Sequence, residues 1–278
     1  AALAEIRQVE AMFSLGRDDS LLSVLNRRGV LAAPPPEMVE LLARARAVAE
    51  LTGGAFDPTV QPLWTLYAAH FGAPGADPAG PPAAALEAAL TLVGHRHLHV
   101  SPDRIALARR GMALTLNGIA QGYITDRVVA LLRAGGIAHT LVDLGEARAL
   151  GQNPAGRPWR AALTDPAVPV RVWGEIALRD RALASSSDGG FVFDRTGRFT
   201  HLLDPRTGRS PRRYRALSVL APDATLADAL STGFALMPER AIMEVLAPLP
   251  GVEVRLLRGD GTTKRMAAGL MGTGVSKA

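Results

Sequence analysis

A mixed α/β fold, an α+β arrangement of mixed sheet with packed helices, is what this sequence predicts, and three observations predict it. Apolar residues recur at helical spacing in several long segments, as in "PEMVELLARARAVAELTGG". Short apolar runs bounded by Gly, Pro and Asp, such as "AHTLVDLG" and "ALSVLAP", read as strands between them. The chain has 278 residues, 48% hydrophobic and 21% charged, which is enough for one large core or two modest domains. No internal repeat and no long linker divides it, so a single unit over 1–278 is expected.

The elements follow in order. "AALAEIRQVEAMF" carries Leu3, Ile6, Val9, Met12 and Phe13 on one helical face. Pro36 and Glu37 suit the first turn of the next long helix, and Gly53 and Gly54 suit its stop. Residues 72–86 form a Pro/Gly/Ala-rich stretch that reads as a loop. "HRHLHV" and "RIALAR" read as a hairpin around "SPDR", which puts His95, His97 and His99 on one strand face. "LTLNGIAQGYITDRVVALLRAGG" is a Gly-marked turn feeding a helix that ends at Gly135 and Gly136. Helix and strand then alternate to a last hairpin turning at Asp260-Gly261.

Composition removes several function classes. There is no cysteine, so disulfides, thiolate metal sites and cysteine nucleophiles are excluded. The net charge of +5 favours an anionic ligand. Nucleic acid is not expected as a partner, because the arginines are scattered and aromatics are only 5% of the chain. No apolar run is long enough to span a bilayer as a helix. The first residues do not form a signal peptide, and the absence of an initiator Met suggests that a leader or a natural N-terminus was removed.

Chemistry concentrates in stretches rich in Gly, Asp, Ser and Thr. In "TLADALSTGFAL", Asp228 and Thr232 are four apart and share a helix face. Either Asp228 sits in a helix's first turn, where a carboxylate suits the dipole, or the two are oxygen ligands to a metal. In "LNGIAQGY", Gly118 and Gly122 let backbone approach a ligand closely, and the helix opening after them offers free N–H groups to an anion. In "THLLDPRTG", Asp204-Pro205 begins a turn that Gly208 ends, and His201 is a candidate general base. "ALASSSDGG" is either a hydroxyl-rich wall or a helix cap. A serine hydrolase is a poor reading, since no Gly-x-Ser-x-Gly elbow is present.

Taken in order, "FSLGRDDSLLSVLNR", "GGAFDPTVQPLW", "LNGIAQGY", "LVDLGEARALG", "SSSDGGF", "THLLDPRTG" and "LADALSTGFAL" resemble the ApbE family of FAD:protein FMN transferases across nearly the whole chain. The resemblance implies an α/β fold related to the T-fold. It implies transfer of FMN from FAD, the substrate, to a Ser or Thr hydroxyl of an acceptor flavoprotein, with release of AMP and a requirement for Mg²⁺. By resemblance, Asp228, Thr232 and the carbonyl of Gly118 are the metal ligands. Ala55, Phe56 and Asp57 match a flavin-contacting block, Leu202 matches an apolar flavin contact, and His201 takes the proton of the acceptor hydroxyl. Thr115, Asn117, Gln121 and Ser186 stand at further cofactor-binding positions.

The chain departs from the usual Asp-Leu-Gly-Gly-Ile-Ala-Lys-Gly-Tyr block. Thr115 replaces its Asp, Asn117 its first Gly and Gln121 its Lys. Gln121 donates weaker hydrogen bonds to a pyrophosphate than a charged Lys would. The family's Ser-Gly-Asp becomes Ser186-Ser187-Asp188, and the family's N-terminal strand with its flavin-contacting Met is not found ahead of Ala1. "LNGIAQGY" resembles the NosX branch, which implies a periplasmic protein serving a NosR-like membrane flavoprotein of nitrous oxide respiration. Two alternatives stand beside transfer: FAD pyrophosphatase activity, with water as acceptor, and a non-catalytic flavin-binding assembly factor.

Overall fold

The structure is a computed structural model that describes residues 2–269 and 276–277. By backbone contacts the chain falls into two compact units. The helical unit is Arg7–Gly118 with Gly190–Pro211, and the sheet unit is Ala1–Ile6, Ile119–Gly189 and Arg212–Ala278.

Helix α1 (Ala2–Phe13) starts in the sheet unit and continues into the helical unit, where Val9, Met12 and Phe13 are buried. Ser20 caps α2 (Leu21–Arg28) by accepting the Ser23 N–H at 3.0 Å, which satisfies a donor the helix cannot pair internally. Strand β1 (Val30–Ala32) leads to α3 (Pro36–Leu51), which has Pro in its first turn as expected. The Gly53-Gly54 stop is present, with both residues left-handed. Helix α4 (Gln61–Gly72) follows, and the Pro/Gly/Ala stretch then turns helical again as α5 (Ala83–Leu90) once its prolines end.

Strands β2 (Leu98–Val100) and β3 (Arg104–Leu107) pair around the expected turn, and β1 joins them in the order β1-β3-β2, all antiparallel. The three histidines do not share a strand face. His95–His97 form a 3-10 turn before β2, and His95 is buried against Asp57. The buried core of this unit is mainly aliphatic, with Leu22, Leu25, Met38, Leu41 and Leu42 fully enclosed, and an aromatic cluster adjoins Leu63 and Leu203. Tyr67 packs on Phe71, Phe193 and Phe199, and Trp64 reaches Phe191 and Phe193.

The sheet unit opens with α6 (Ala120–Ala134), closed at Gly135 and Gly136. Then come β4 (Thr140–Asp143), β5 (Ala147–Leu150), β6 (Trp159–Asp165), β7 (Val168–Leu178), β8 (Ala182–Ser187) and β9 (Ala216–Ala221). The chain continues through α7 (Ala224–Ala235), α8 (Glu239–Leu246), β10 (Glu253–Leu257), β11 (Thr262–Ala267) and β12 (Ser276–Lys277). Seven strands form one antiparallel sheet in the order β12-β11-β10-β9-β8-β5-β4, and β6-β7 form a separate hairpin. Leu163, Ile176 and Leu178 of the hairpin bury against Ala149, Leu183 and Leu220 of the sheet. Helices α6 and α7 pack on each other, and α7 lies on β8 and β9. Every residue of β9 is buried, as a central strand requires.

Candidate active site

The site in the sheet unit is built on the contact between α6 and α7. Asp223 caps α7 by accepting the Leu226 N–H at 2.8 Å. Asp126 of α6 reinforces that end, with Oδ1 accepting the Ala224 N–H at 2.9 Å and Oδ2 accepting the Thr225 N–H at 2.8 Å. Arg148 pairs with the same Asp126 at 2.6 Å. The helix therefore begins at Ala224, and Asp228 stands in its second turn rather than its first. The helix dipole accordingly has its capping carboxylates in Asp223 and Asp126, and Asp228 is left for another use.

Asp228 is 4% exposed, and its Oδ2 accepts the Gly122 N–H at 3.0 Å. Gly122 is the second glycine of "LNGIAQGY", and its place in the fold differs from the one expected. It lies inside α6, and a Cβ on it would come within 2.2 Å of the Ala224 carbonyl oxygen. Its missing side chain lets two helices touch rather than a ligand approach. Thr232 follows one turn after Asp228 on α7 and is half-buried. Ser186 of β8 reaches the same helix through Ser231 at 2.8 Å, and the Ser231 hydroxyl donates to the Asp228 carbonyl at 3.0 Å. The serine-rich stretch is thus a strand, not a helix cap: the Ser186 hydroxyl meets α7 and the Ser185 hydroxyl meets Ser218 of β9 at 2.7 Å.

A second acid joins Asp228. Glu146 follows the left-handed Gly145 between β4 and β5 and is 6% exposed. Burial drives the Asp228 carboxyl up to about 7 against the Gly122 N–H, which favours its ionised form. Glu146 is pushed up to about 9, first by burial and then by the Asp228 charge, with the Ser185 backbone opposing and Asp143 adding to the rise. Among the described residues no group of three His, Cys, Asp or Glu side chains is set to hold a metal ion, so the acidic centre of this unit is a carboxylate pair. Gln121 is exposed and lies beside Gly145.

The helical unit carries the other expected residues. The Thr115 N–H donates to the Pro58 carbonyl at 2.8 Å, and the Thr115 hydroxyl oxygen accepts the Asn117 N–H at 3.3 Å. These bonds set the Thr115–Gly118 loop beside the block containing Ala55, Phe56 and Asp57. Ala55 and Phe56 are buried, and the Asp57 carboxylate is saturated. Its Oδ1 accepts the Thr59 N–H and hydroxyl at 2.8 and 2.6 Å, and its Oδ2 accepts the His95 N–H and Nδ1–H at 2.7 and 3.1 Å. A nearby cleft of about 390 Å³ is lined by Asp57, His95, Arg96 and Arg206. Two of its charged groups are already committed, Asp57 to His95 and Arg206 to Asp204 at 2.8 Å.

His201 has the orientation a base needs. Its Nδ1 lies 3.0 Å from the Phe191 carbonyl, which can only accept, so Nδ1 carries a proton and in the neutral ring the lone pair falls on Nε2. The His201 N–H donates to the same carbonyl at 2.9 Å. Gly190 gives the ring its place, since a Cβ there would stand 2.5 Å from the imidazole Cε1. Leu202, half-buried, comes next in the chain. The expected turn follows it: Asp204 accepts the Gly208 N–H through its carbonyl at 2.7 Å, and Gly208 is left-handed. Asp204 and Asp188, acids on either side of it in sequence, are engaged elsewhere, Asp204 with Arg206 and Asp188 with Arg212 at 2.9 Å.

A sequence model described as the ApbE family matches residues 1–256 of this chain. The chain belongs to the ApbE family. It is 32% identical to a FAD:protein FMN transferase of Treponema pallidum (strain Nichols), with 98% of this chain and 80% of that protein covered. It is 33% identical to one of Vibrio cholerae, with 86% and 73% covered. The solved flavin transferase ApbE from Vibrio cholerae superposes with a TM-score of 0.80 at 30% identity, covering 96% of this chain and 87% of that one. The ApbE protein of Thermotoga maritima gives a TM-score of 0.84 at 29% identity, with 95% and 87% covered.

Within the ApbE frame, three residues that matter to the geometry gave little sign in the sequence. Asn26 pairs both ways with Leu114, donating to its carbonyl at 2.9 Å and accepting its N–H at 2.7 Å, and the only trace was "LN" in the first matching block. Gly190 was one glycine of a Gly-Gly pair. Glu146 stood in "DLGEA" with no periodic partner, and only an acid beside a glycine at a strand end pointed to it.

Proposed function

We propose that this chain transfers FMN from FAD to a Ser or Thr hydroxyl of an acceptor protein and releases AMP. The observation that carries this reading is the match over 98% of the chain to a protein named FAD:protein FMN transferase, and the geometry of His201 agrees with it. The acceptor oxygen attacks the phosphorus on the FMN side of the pyrophosphate, an O–P bond forms, and the P–O bond to AMP breaks. Nε2 of His201 takes the hydroxyl proton, while the Phe191 carbonyl holds Nδ1–H and favours the imidazolium that results.

The reaction uses Mg²⁺ in this reading, and the residues present fit a hard cation. Asp228 supplies a buried carboxylate, Thr232 a hydroxyl one turn away, and Glu146 leaves a buried oxygen without a partner. Bound there, the ion would offset charge on the pyrophosphate as the leaving phosphate develops. The Gly118 carbonyl is assigned by the family resemblance alone. Leu202, Thr115, Asn117, Gln121 and Ser186 are the proposed FAD contacts. Because the side chains of Ala55, Phe56 and Asp57 are buried or saturated, their share falls to the main chain.

The chain is further read as periplasmic, with a NosR-like membrane flavoprotein as acceptor, on the strength of "LNGIAQGY". No helix among the described residues is long and apolar enough to cross a membrane. The test is incubation with FAD, Mg²⁺ and an acceptor domain, followed by mass spectrometry of the acceptor and chromatography of the nucleotides. Transfer leaves FMN covalently on the acceptor and AMP in solution. Free FMN with AMP and an unlabelled acceptor would mean a pyrophosphatase, and FAD bound without turnover would mean a carrier.

A further inference from the structure

Glu146 is an acid of the sheet unit to which the family resemblance gives no role. Its main chain is fixed on both sides: the Leu144 N–H donates to its carbonyl at 3.3 Å, and the Thr125 hydroxyl lies 3.3 Å from the same oxygen. Thr125 and Gly122 are three apart on α6 and share one face of that helix. That face therefore holds Glu146 through Thr125 and Asp228 through the Gly122 N–H at 3.0 Å. Asp228 is the foremost of the charges that act on Glu146.

Glu146 is more than nine-tenths buried, and its Oε2 has no hydrogen-bond partner among the described residues. The cation nearest in sequence, Arg148, is paired with Asp126. A buried carboxylate oxygen without a donor is costly, and a second carboxylate beside it raises the cost. Either a proton or a metal ion relieves such a pair, and two carboxylates with a hydroxyl one turn away are a hard-oxygen donor set suited to a divalent cation.

We propose that Glu146 is a second carboxylate ligand of the cation held by Asp228. The inference rests on the cation reading of Asp228 given above and adds a residue to it. It predicts that the chain binds its divalent ion through two acids rather than one. The charge a pyrophosphate has to meet at the bound ion is then lower than Asp228 alone would leave.

The test measures Mn²⁺ binding to the full chain by the paramagnetic signal of the free ion, with and without saturating ADP. Glu146→Gln keeps the shape and one weaker oxygen, and it should weaken Mn²⁺ binding about 10–100-fold. Glu146→Leu removes the oxygens at similar volume. It should abolish tight binding while raising the melting temperature of the metal-free protein, because a buried acid has gone. Asp228→Asn is the reference loss. Mn²⁺ affinity unchanged in both Glu146 variants, with Asp228→Asn impaired, would overturn this inference and leave the Asp228 reading standing. Wild-type protein that binds no Mn²⁺ under either condition would remove both. Should Glu146→Leu fail to fold, Glu146→Gln alone decides.

Discussion

Gly122→Ala is the sharpest probe of how α6 and α7 are built. The added Cβ would stand 2.2 Å from the Ala224 carbonyl oxygen, 2.5 Å from its carbon and 2.8 Å from the Thr225 nitrogen. All three are backbone atoms, so no side chain can swing aside. Contacts under 3.0 Å are not tolerated, and the helices must separate by several tenths of an ångström at their tightest point. Four bonds cross that point: the Gly122 N–H to Asp228, and the Ala224 N–H, the Thr225 N–H and the Thr225 hydroxyl to Asp126. Overpacking of this kind costs roughly 1–3 kcal/mol. A weakened helix cap adds about 1 kcal/mol. Against this, Ala in place of Gly inside a helix gains about 1 kcal/mol. The net is a loss of roughly 1–3 kcal/mol, or about 2–12 °C in melting temperature for a unit of this size. The assay is urea and thermal unfolding of the metal-free protein, with Gly72→Ala as control. Gly72 closes α4 with nothing within 4 Å of its would-be Cβ, so that variant should be neutral or slightly stabilised. If Gly122→Ala behaves like the control, the helices do not meet as described.

Four further outcomes are expected. His201→Asn should keep FAD binding and thermal stability but lose transfer by roughly 10²–10⁴-fold, read from FMN attached to the acceptor per unit time. Gly190→Ala drives a Cβ into the imidazole and should lower the transfer rate while leaving FAD affinity within about twofold, since it displaces the base and not the substrate; unchanged transfer would show that the ring is free to move. Gln121→Lys should tighten FAD binding at low salt, and equal affinities at matched ionic strength would count against a phosphate role for this position. Without metal, the protein should lose stability as pH rises. The Asp228 and Glu146 carboxyls, held up to about 7 and about 9 in the folded state, ionise first in the unfolded chain, so the stability this pair contributes is full below about pH 4 and declines toward pH 9. Denaturant melts in chelator across pH 4–9 check the sign, and Glu146→Gln should flatten the upper part of the curve.

Much of the fold was legible because its signals are local. Helices α1, α3 and α6 follow from apolar spacing within a dozen or so residues, and the Gly pairs at 53–54 and 135–136 close two of them where left-handed or relaxed backbone is needed. The hairpins over 98–107 and 253–267 follow from turn residues between two apolar runs. The antiparallel sheet was not legible. Strand β8 pairs with β5 on one side and β9 on the other, and no local feature of "ALASSS" says which partners lie beside it. The histidines misled for a related reason. His95 looked like a strand residue by alternation, but Asp57, 38 residues earlier, holds it in a 3-10 turn through its N–H and its ring.

The site divides along the same line. Asp228 and Thr232 could be picked out because a helix puts residues four apart on one face whatever lies around them. What makes Asp228 unusual is not on its helix. The N–H that holds it comes from Gly122, and its own charge opposes the ionisation of Glu146, 106 and 82 positions away in sequence. Gly122 could be recognised as a glycine that something must approach, but the sequence could not tell a phosphate from the Ala224 carbonyl. His201 shows the converse. Its residue type suggested a base, and the property that would suit it to that role, a lone pair at Nε2 of the neutral ring, depends on a carbonyl ten residues earlier and on a glycine that leaves room for the ring. Sequence spacing can nominate the groups that do chemistry, whereas the hydrogen-bond donor, the neighbouring charge and the missing side chain that tune each group are set by tertiary contacts. Substitutions at Gly122, Gly190 and Glu146 therefore test the mechanism at points where residue type alone predicts no effect.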